Sequence, residues 1–192
     1  MPIYSKFYLK DLAESLTSNQ KTRMFSETKE IENFDIFLSH SFLDKEEVLG
    51  IFIELTRQGF KVYVDWIVDS HLERNNVTLE TAKKIRSRLR HSKTLILAMS
   101  ENCAISKWIP WELGYVDGHT DKQCALLPVS QINYPSSSFK RAEYFALYPY
   151  LTREYNSYRE LRTYITDSSL VYVDITQWIN GKKPEYQFRS IF

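Results

Sequence analysis

The stretch DIFLSHSFLDKEEVLGIFIELTRQGFKVYVD, Asp35 to Asp65, decides the fold. It opens on Asp35-Ile-Phe-Leu-Ser39, an apolar run rich in strand formers and too short for an ordinary helix. Asp44 then offers a helix N-cap, with Glu47 three residues on as its capping-box partner. Val48, Phe52 and Leu55 follow at helical spacing. Gly59 closes this helix, because a residue without a Cβ takes the left-handed turn that ends many helices. Lys61-Val-Tyr-Val-Asp65 reads as a second strand. A strand, a helix and a strand in this order form the crossover unit of a parallel sheet.

The same alternation continues downstream. A polar loop runs to about Val77, and Thr78 to Arg90 reads as a helix with Ala82, Ile85 and Leu89 inward. Thr94 to Met99 is nearly all apolar, which suits a central strand buried on both faces. A further helix begins near Trp108, with Pro110 tolerated in its first turn. Ala125 to Val129 is a fourth strand, where Pro128 predicts an edge position or a bulge. The pattern predicts a doubly wound α/β domain around a central parallel sheet.

Residues 1–33 read as an N-terminal helical extension with a partial stripe of Phe7, Leu9, Leu12 and Leu16, followed by a polar stretch from Ser15 to Lys29. No linker separates it, so it is expected to pack on the main domain or to serve as an oligomer contact. The domain proper runs over 34–192, with a C-terminal elaboration from about residue 134. There, Tyr134 to Ser138 is a Pro/Ser loop, Ala142 to Leu151 is rich in aromatic residues, Tyr158 to Ile165 has helical spacing, and Leu170 to Asp174 reads as a strand.

Composition narrows the function. The chain has 192 residues and a net charge of +1, so it carries no strong field for nucleic acid or an acidic membrane. No apolar run is long enough to span a membrane, and the N-terminus lacks a secretory pattern. A cytoplasmic protein is expected. Two cysteines, Cys103 and Cys124, make neither a disulfide framework nor a metal set, and His71, His91 and His119 lack ligand spacing. Aromatic residues reach 15%, enough flat surface to pack a core or stack a ring-bearing ligand.

In a doubly wound sheet, ligands bind beyond the carboxyl ends of the strands, where the strand order reverses. That rule selects Ser39 to Phe42, Asp65 to Asp69, Ser100 to Asn102 and the start of the helix near Trp108. Trp108 and Glu112 lie one turn apart on one helix face. Spacing alone leaves them open as a stacking wall beside a carboxylate, or as a core anchor beside a solvent-facing glutamate. Ser39, His40 and Ser41 bring hydroxyls and an imidazole to the ligand edge; they equally suit a turn that caps the next helix. No nucleophile-elbow sequence accompanies them. Asp65 could contact a ribose hydroxyl or simply shape the turn before Trp66. No Gly-rich phosphate motif is present. The basic stretch Lys83 to Lys93 is amphipathic and reads as a solvated or protein-contacting face.

Taken in order, these features resemble the TIR (Toll/interleukin-1 receptor) domain. Asp35-Ile-Phe-Leu-Ser39-His40 looks like its first box, Gly59 to Asp65 like its second strand, and the polar loop beyond like its BB loop. Ser92 to Ser100 resembles the strand that ends in a Ser. Ser106-Lys-Trp108 followed by Glu112-Leu113 resembles the Ser-x-Trp-x-x-x-Glu-Leu signature. The resemblance implies a flavodoxin-like three-layer fold. It also implies an NAD+ glycohydrolase or cyclase with Glu112 as catalytic residue, and with Ser39, His40, Ser41, Phe42, Asp65, Trp66, Ser100 and Trp108 lining the substrate site. The chain departs from many relatives in having His40-Ser41-Phe42 where they carry basic residues, and in a BB loop without the common Pro or Gly.

On this reading NAD+ is the substrate and no other cofactor or metal is required. Self-association through TIR–TIR contacts is expected. A compact chain of this kind also resembles the Thoeris anti-phage arrangement, in which a separate effector protein senses a cyclic ADP-ribose product. The alternatives are a non-enzymatic TIR adaptor or virulence interaction module, which would not need Glu112, and a nucleoside deoxyribosyltransferase-like enzyme, against which the Ser-x-Trp signature speaks.

Overall fold

A two-residue strand, β1 (Tyr4–Ser5), leads directly into helix α1 (Lys6–Glu14), whose first turn is capped by the Ser5 hydroxyl accepting the Tyr8 amide. The computed structural model describes residues 4–72, 78–119, 123–130, 143–156 and 158–186. Helix α2 (Ser18–Lys29) starts at a capping box, in which Thr17 and Gln20 satisfy each other's backbone amides. The Phe7 of the expected stripe points out, at 74% exposure, while Leu9, Leu12 and Ala13 are buried. Leu9 and Leu12 of the stripe thus face inward and Leu16 packs on the core edge, while Phe7 alone departs from it. Helix α1 lies so close to the helix over Lys45–Arg57 that a Cβ on Gly50 would fall 2.2 Å from the Leu9 carbonyl oxygen.

The core of the sheet follows. Strand β2 (Phe34–Ser39) leads through a 3₁₀ turn to α3 (Lys45–Arg57), and β3 (Val62–Tyr63) follows the left-handed Gly59. The second strand is shorter than expected, because Asp65 opens a one-turn helix, α4 (Asp65–Val68), inside what reads as strand end and polar loop. Then come α5 (Leu79–Arg90), β4 (Ser92–Met99), α6 (Ile109–His119) and β5 (Cys124–Ser130).

Strand order among the described residues is β3-β2-β4-β5, continuing into β6 (Tyr150–Tyr155), β7 (Leu161–Ser168), β8 (Val171–Asp174) and β9 (Glu185–Tyr186). Pairings from β3 to β6 are parallel and those from β6 to β9 antiparallel. A short helix, α7 (Ile175–Ile179), buries Trp178 near the tail strands. The chain leaves β2 toward β3 and returns past it to β4. Right-handed crossovers then place α3 on one face and α5 and α6 on the other. The reversal of order falls between β2 and β4, where Ser39 ends β2 and Ser100 directly follows β4.

Two expectations fail for physical reasons. Tyr158 to Ile165 forms no helix: Leu161–Ser168 is a strand, paired on both sides through Thr152↔Tyr164 and Ile165↔Val173. Its β-branched residues Thr163, Ile165 and Thr166 are the buried ones, and such side chains fit a sheet surface. Pro128 lies in an interior strand rather than at an edge. The amide of Leu126 donates toward β6, so the Pro128 nitrogen faces the same side, where β5 meets β6 only at Leu126. The missing donor therefore breaks no bond to β6. Leu170 to Asp174 does form a strand, and the Pro/Ser loop read at Tyr134 to Ser138 lies outside the described residues.

Candidate active site

Glu112 lies in the first turn of α6, where an acidic side chain favours the helix dipole. The Ser106 hydroxyl accepts the Ile109 amide at 3.4 Å, Pro110 fits the first turn, and the Glu112 amide bonds the Trp108 carbonyl at 2.8 Å. Glu112 has 0% exposure. Its Oε2 accepts a hydrogen bond from Ser39 Oγ at 2.6 Å, which joins the end of β2 to α6 across the switch point. Glutamates are rarely buried without a partner, so this bond marks a site that the fold maintains at a cost.

A second pair sits at the neighbouring strand ends. His40 is buried, its Nδ1 donates to the Leu38 carbonyl at 2.8 Å, and its Nε2 faces Asp65 Oδ1 at 3.3 Å. Asp65 Oδ1 also accepts the Trp66 amide at 2.7 Å. This ties the end of β2 to the start of α4. Phe42 is half exposed, and Lys45 holds its ammonium 4.1 Å from the Phe42 ring centroid and 5.7 Å from that of Trp66.

The remaining candidates are placed differently. The Ser41 hydroxyl accepts the Leu43 amide and so caps the 3₁₀ turn. Ser100 Oγ donates to Asp44 Oδ2 at 2.5 Å, and Asn102 Nδ2 donates to Asp44 Oδ1 at 2.7 Å. Asp44 thus precedes α3 without capping it: its side chain makes no cap bond, and no capping box with Glu47 forms. The carboxylate instead ties the β2–α3 turn to the loop after β4. Trp108 is buried and meets Trp111 edge-on at 5.5 Å, and Trp111 stacks on Tyr115 at 5.8 Å. Sequence reasoning missed Asp44 as a cross-strand tie, and also Trp111, Tyr115 and Lys45. The i, i+3, i+7 spacing of the α6 aromatics was the available signal for that ladder.

Two further groups are structural. Burial pushes the Cys103 thiol up, against the Ser100 bonds, and pushes Cys124 up to about 12, so neither is poised as a nucleophile. The basic stretch of α5 faces solvent in part, with Ile85 and Leu89 inward as read. Two of its cations, Lys84 and Arg88, bind the buried Asp69 at 3.2 and 2.8 Å.

Residues 36–188 match the family model described as TIR domain. The chain belongs to the TIR domain family. A Bacillus cereus (strain MSX-D12) protein named "Probable 3' cyclic ADP-D-ribose synthase ThsB'" is 40% identical over 184 residues, covering 88% of this chain and 94% of that protein. A Cytobacillus dafuensis protein named "Putative cyclic ADP-D-ribose synthase TIR2" is 29% identical over 93 residues, covering 46% of this chain and 24% of that protein. Among solved structures, the TIR domain of the Toll-related receptor TRR-2 from Hydra magnipapillata aligns with a TM-score of 0.40 and 18% identity, over 58% of this chain and 81% of that one. The first box and the Ser-x-Trp-x-x-x-Glu-Leu signature of this TIR domain are therefore the strand end and the helix turn that the Ser39–Glu112 bond joins.

Proposed function

We propose that this TIR domain cleaves the nicotinamide–ribose bond of NAD+ and closes the ADP-ribosyl group into a cyclic ADP-ribose, the 3′-linked form. The observation that carries the proposal is the buried Glu112 carboxylate, bonded by Ser39 at the point where the strand order reverses. The identity to a relative named as a 3′ cyclic ADP-D-ribose synthase, over nearly its whole length, supports the product.

One carboxylate suffices for the chemistry. Nicotinamide is bound to ribose as a cation and leaves as a neutral base, so no general acid is needed. As the C–N bond lengthens, positive charge develops at the ribosyl carbon. A negative Glu112 beside it stabilises that charge. Ring closure then uses the 3′ hydroxyl of the adenosine ribose. Its oxygen bonds the ribosyl carbon, nicotinamide keeps the electron pair of the broken bond, and the hydroxyl proton passes through Glu112 to solvent. The balance is NAD+ to cyclic ADP-ribose, nicotinamide and a proton. Water in place of that hydroxyl gives ADP-ribose, so exclusion of water decides the product.

Ser39 holds Glu112, and Trp108, Trp66 and Phe42 supply aromatic walls for the bases. His40, Ser41, Asp65 and Ser100 shape the strand ends around them. Glu112 has no exposed surface in the single chain. Substrate therefore reaches it only after a neighbouring element moves, and self-association between copies is the step we assign to that movement. Anti-phage signalling to a separate effector is the role such a product serves. The test is incubation of concentrated protein with NAD+, followed by separation and mass analysis of the products. Release of nicotinamide with a species of cyclic ADP-ribose mass supports the proposal; unchanged NAD+ at every protein concentration refutes it.

A further inference from the structure

We infer that the N-terminal helix α2 belongs to the NAD+ site, with Phe25 as a positioning residue that fixes the Trp66 wall. The inference rests on the site as proposed above. Helices α1 and α2 precede the stretch that matches the family model, which begins at residue 36. Nevertheless α2 reaches the carboxyl edge of the sheet. The Phe25 ring stands edge-on to Trp66, with centroids 6.0 Å apart and planes at 88°, and edge-on to Phe52 of α3 at 6.1 Å.

Trp66 needs such a support. It lies in α4, a helix of four residues, and one turn does not hold itself in water. The Trp66 amide is bonded to its own neighbour, Asp65. The indole Nε1–H is buried and meets no acceptor among the described residues, so no hydrogen bond from them orients the ring. Ring contacts from Phe25, with Lys45 above Trp66 and Phe42, must do so instead. Asp65, one residue back, faces His40 at the end of β2, so displacement of α4 is felt at the strand end that carries Ser39.

The helix that presents Phe25 is itself held firmly. The Thr17–Gln20 capping box fixes its start. Upstream, β1 pairs with β5 at Tyr4↔Val129, and Leu9 of α1 lies against Gly50 of α3. Tyr8 donates to Glu54 at 2.6 Å, and Arg153 of β6 donates to the Tyr8 hydroxyl at 2.9 Å. The extension is thereby tied to both α3 and the sheet, and it delivers one ring to the substrate wall.

The test compares Phe25→Ala and Phe25→Leu with wild type and with Arg23→Ala, which removes only an exposed pair with Glu27. NAD+ turnover is measured across substrate concentration, and hydrogen exchange is followed at residues 64–69. Loss of an edge-to-face ring pair predicts a KM raised about three- to tenfold in both Phe25 variants, with kcat little changed. It also predicts faster exchange at 64–69 but not along α3, and a Phe25→Tyr variant that restores both readouts. Arg23→Ala behaves as wild type. Unchanged KM overturns the inference, whether or not exchange rises. A kcat loss that parallels loss of melting temperature also overturns it, since that is a purely structural role. Wild-type protein that neither binds nor consumes NAD+ overturns the parent reading, and exchange at 64–69 then shows independently whether α2 holds α4.

Discussion

Gly50→Ala should destabilise the chain, although alanine is the better helix former. Gly50 lies within α3, where the substitution by itself gains up to about 1 kcal/mol of helix propensity. The added Cβ, however, would lie 2.2 Å from the Leu9 oxygen, 2.7 Å from its carbonyl carbon and 2.8 Å from its Cα. All three are backbone atoms, so no rotamer change relieves the overlap. Ordinary contact begins at 3.4 Å, so α1 must retreat by roughly 1 Å. A gap of that size forfeits about a quarter to a half of the dispersion between the facing surfaces, which include the buried Leu9, Leu12 and Ala13. Overpacking costs about 1–3 kcal/mol, and a clash with backbone atoms, as here, falls in the upper part of that range, about 2–3 kcal/mol. Set against the propensity gain, the net loss is about 1–2 kcal/mol, or a melting temperature lower by roughly 2–8 °C in a chain of this size. Thermal unfolding followed by circular dichroism measures it, with hydrogen exchange along Lys6–Glu14 locating the change. Leu9→Ala added to Gly50→Ala should bring no recovery, because the conflict is with backbone. A variant that melts at or above wild type would refute the reasoning and show that α1 is not seated on α3 as described.

Two further outcomes follow from the hydrogen bonds. Ser39→Ala removes the donor to the buried Glu112; a bond to a charged group is worth about 1.5–3 kcal/mol of stability, so the melting temperature should fall by roughly 3–12 °C, and NAD+ turnover by the folded variant should fall severalfold as the carboxylate loses its fixed position. Turnover within twofold of wild type would contradict the role given to Ser39. Burial alone would raise the Asp69 carboxyl, but bonds from Arg88, Lys84 and Tyr63 outweigh it and hold the group below its ordinary value. The stability that Asp69 contributes is therefore complete above the ordinary carboxylate range and is lost as pH falls through the lower folded value. Asp69→Asn should be less stable than wild type at pH 7, and the gap should narrow on acidification in denaturant titrations from pH 7 to 3; a gap that widens would contradict the pairing.

The parts of the fold that were legible share a physical cause. Strands β2, β4 and β5 are buried on both faces, so they stand out as apolar runs whatever their neighbours. Strand β7 was misread because Tyr158, Leu161 and Ile165 fit a helical stripe, while its state is decided by ladders to β6 and β8. Asp44 shows the same limit at the site. Its residue type and position suggested a cap, but its partners Ser100 and Asn102 stand 56 and 58 residues away in the chain. No local pattern announces such a tie. Ser39 and Glu112 were each legible from family boxes, whereas the bond between them, 73 residues apart, appears only in the folded chain. Phe25 was hidden in a stretch that reads as polar, and its importance comes from meeting Trp66.

The most direct test of the account is the fate of NAD+ in the presence of wild type and Glu112→Gln. The substitution keeps the shape of the side chain and an acceptor for Ser39, and it removes the negative charge. Both proteins should melt alike. Wild type should release nicotinamide together with a product of cyclic ADP-ribose mass, and the variant should do so at a rate lower by roughly 100-fold or more, the scale of losing electrostatic stabilisation at the reacting centre. Equal nicotinamide release by a folded Glu112→Gln protein would contradict the assignment of Glu112.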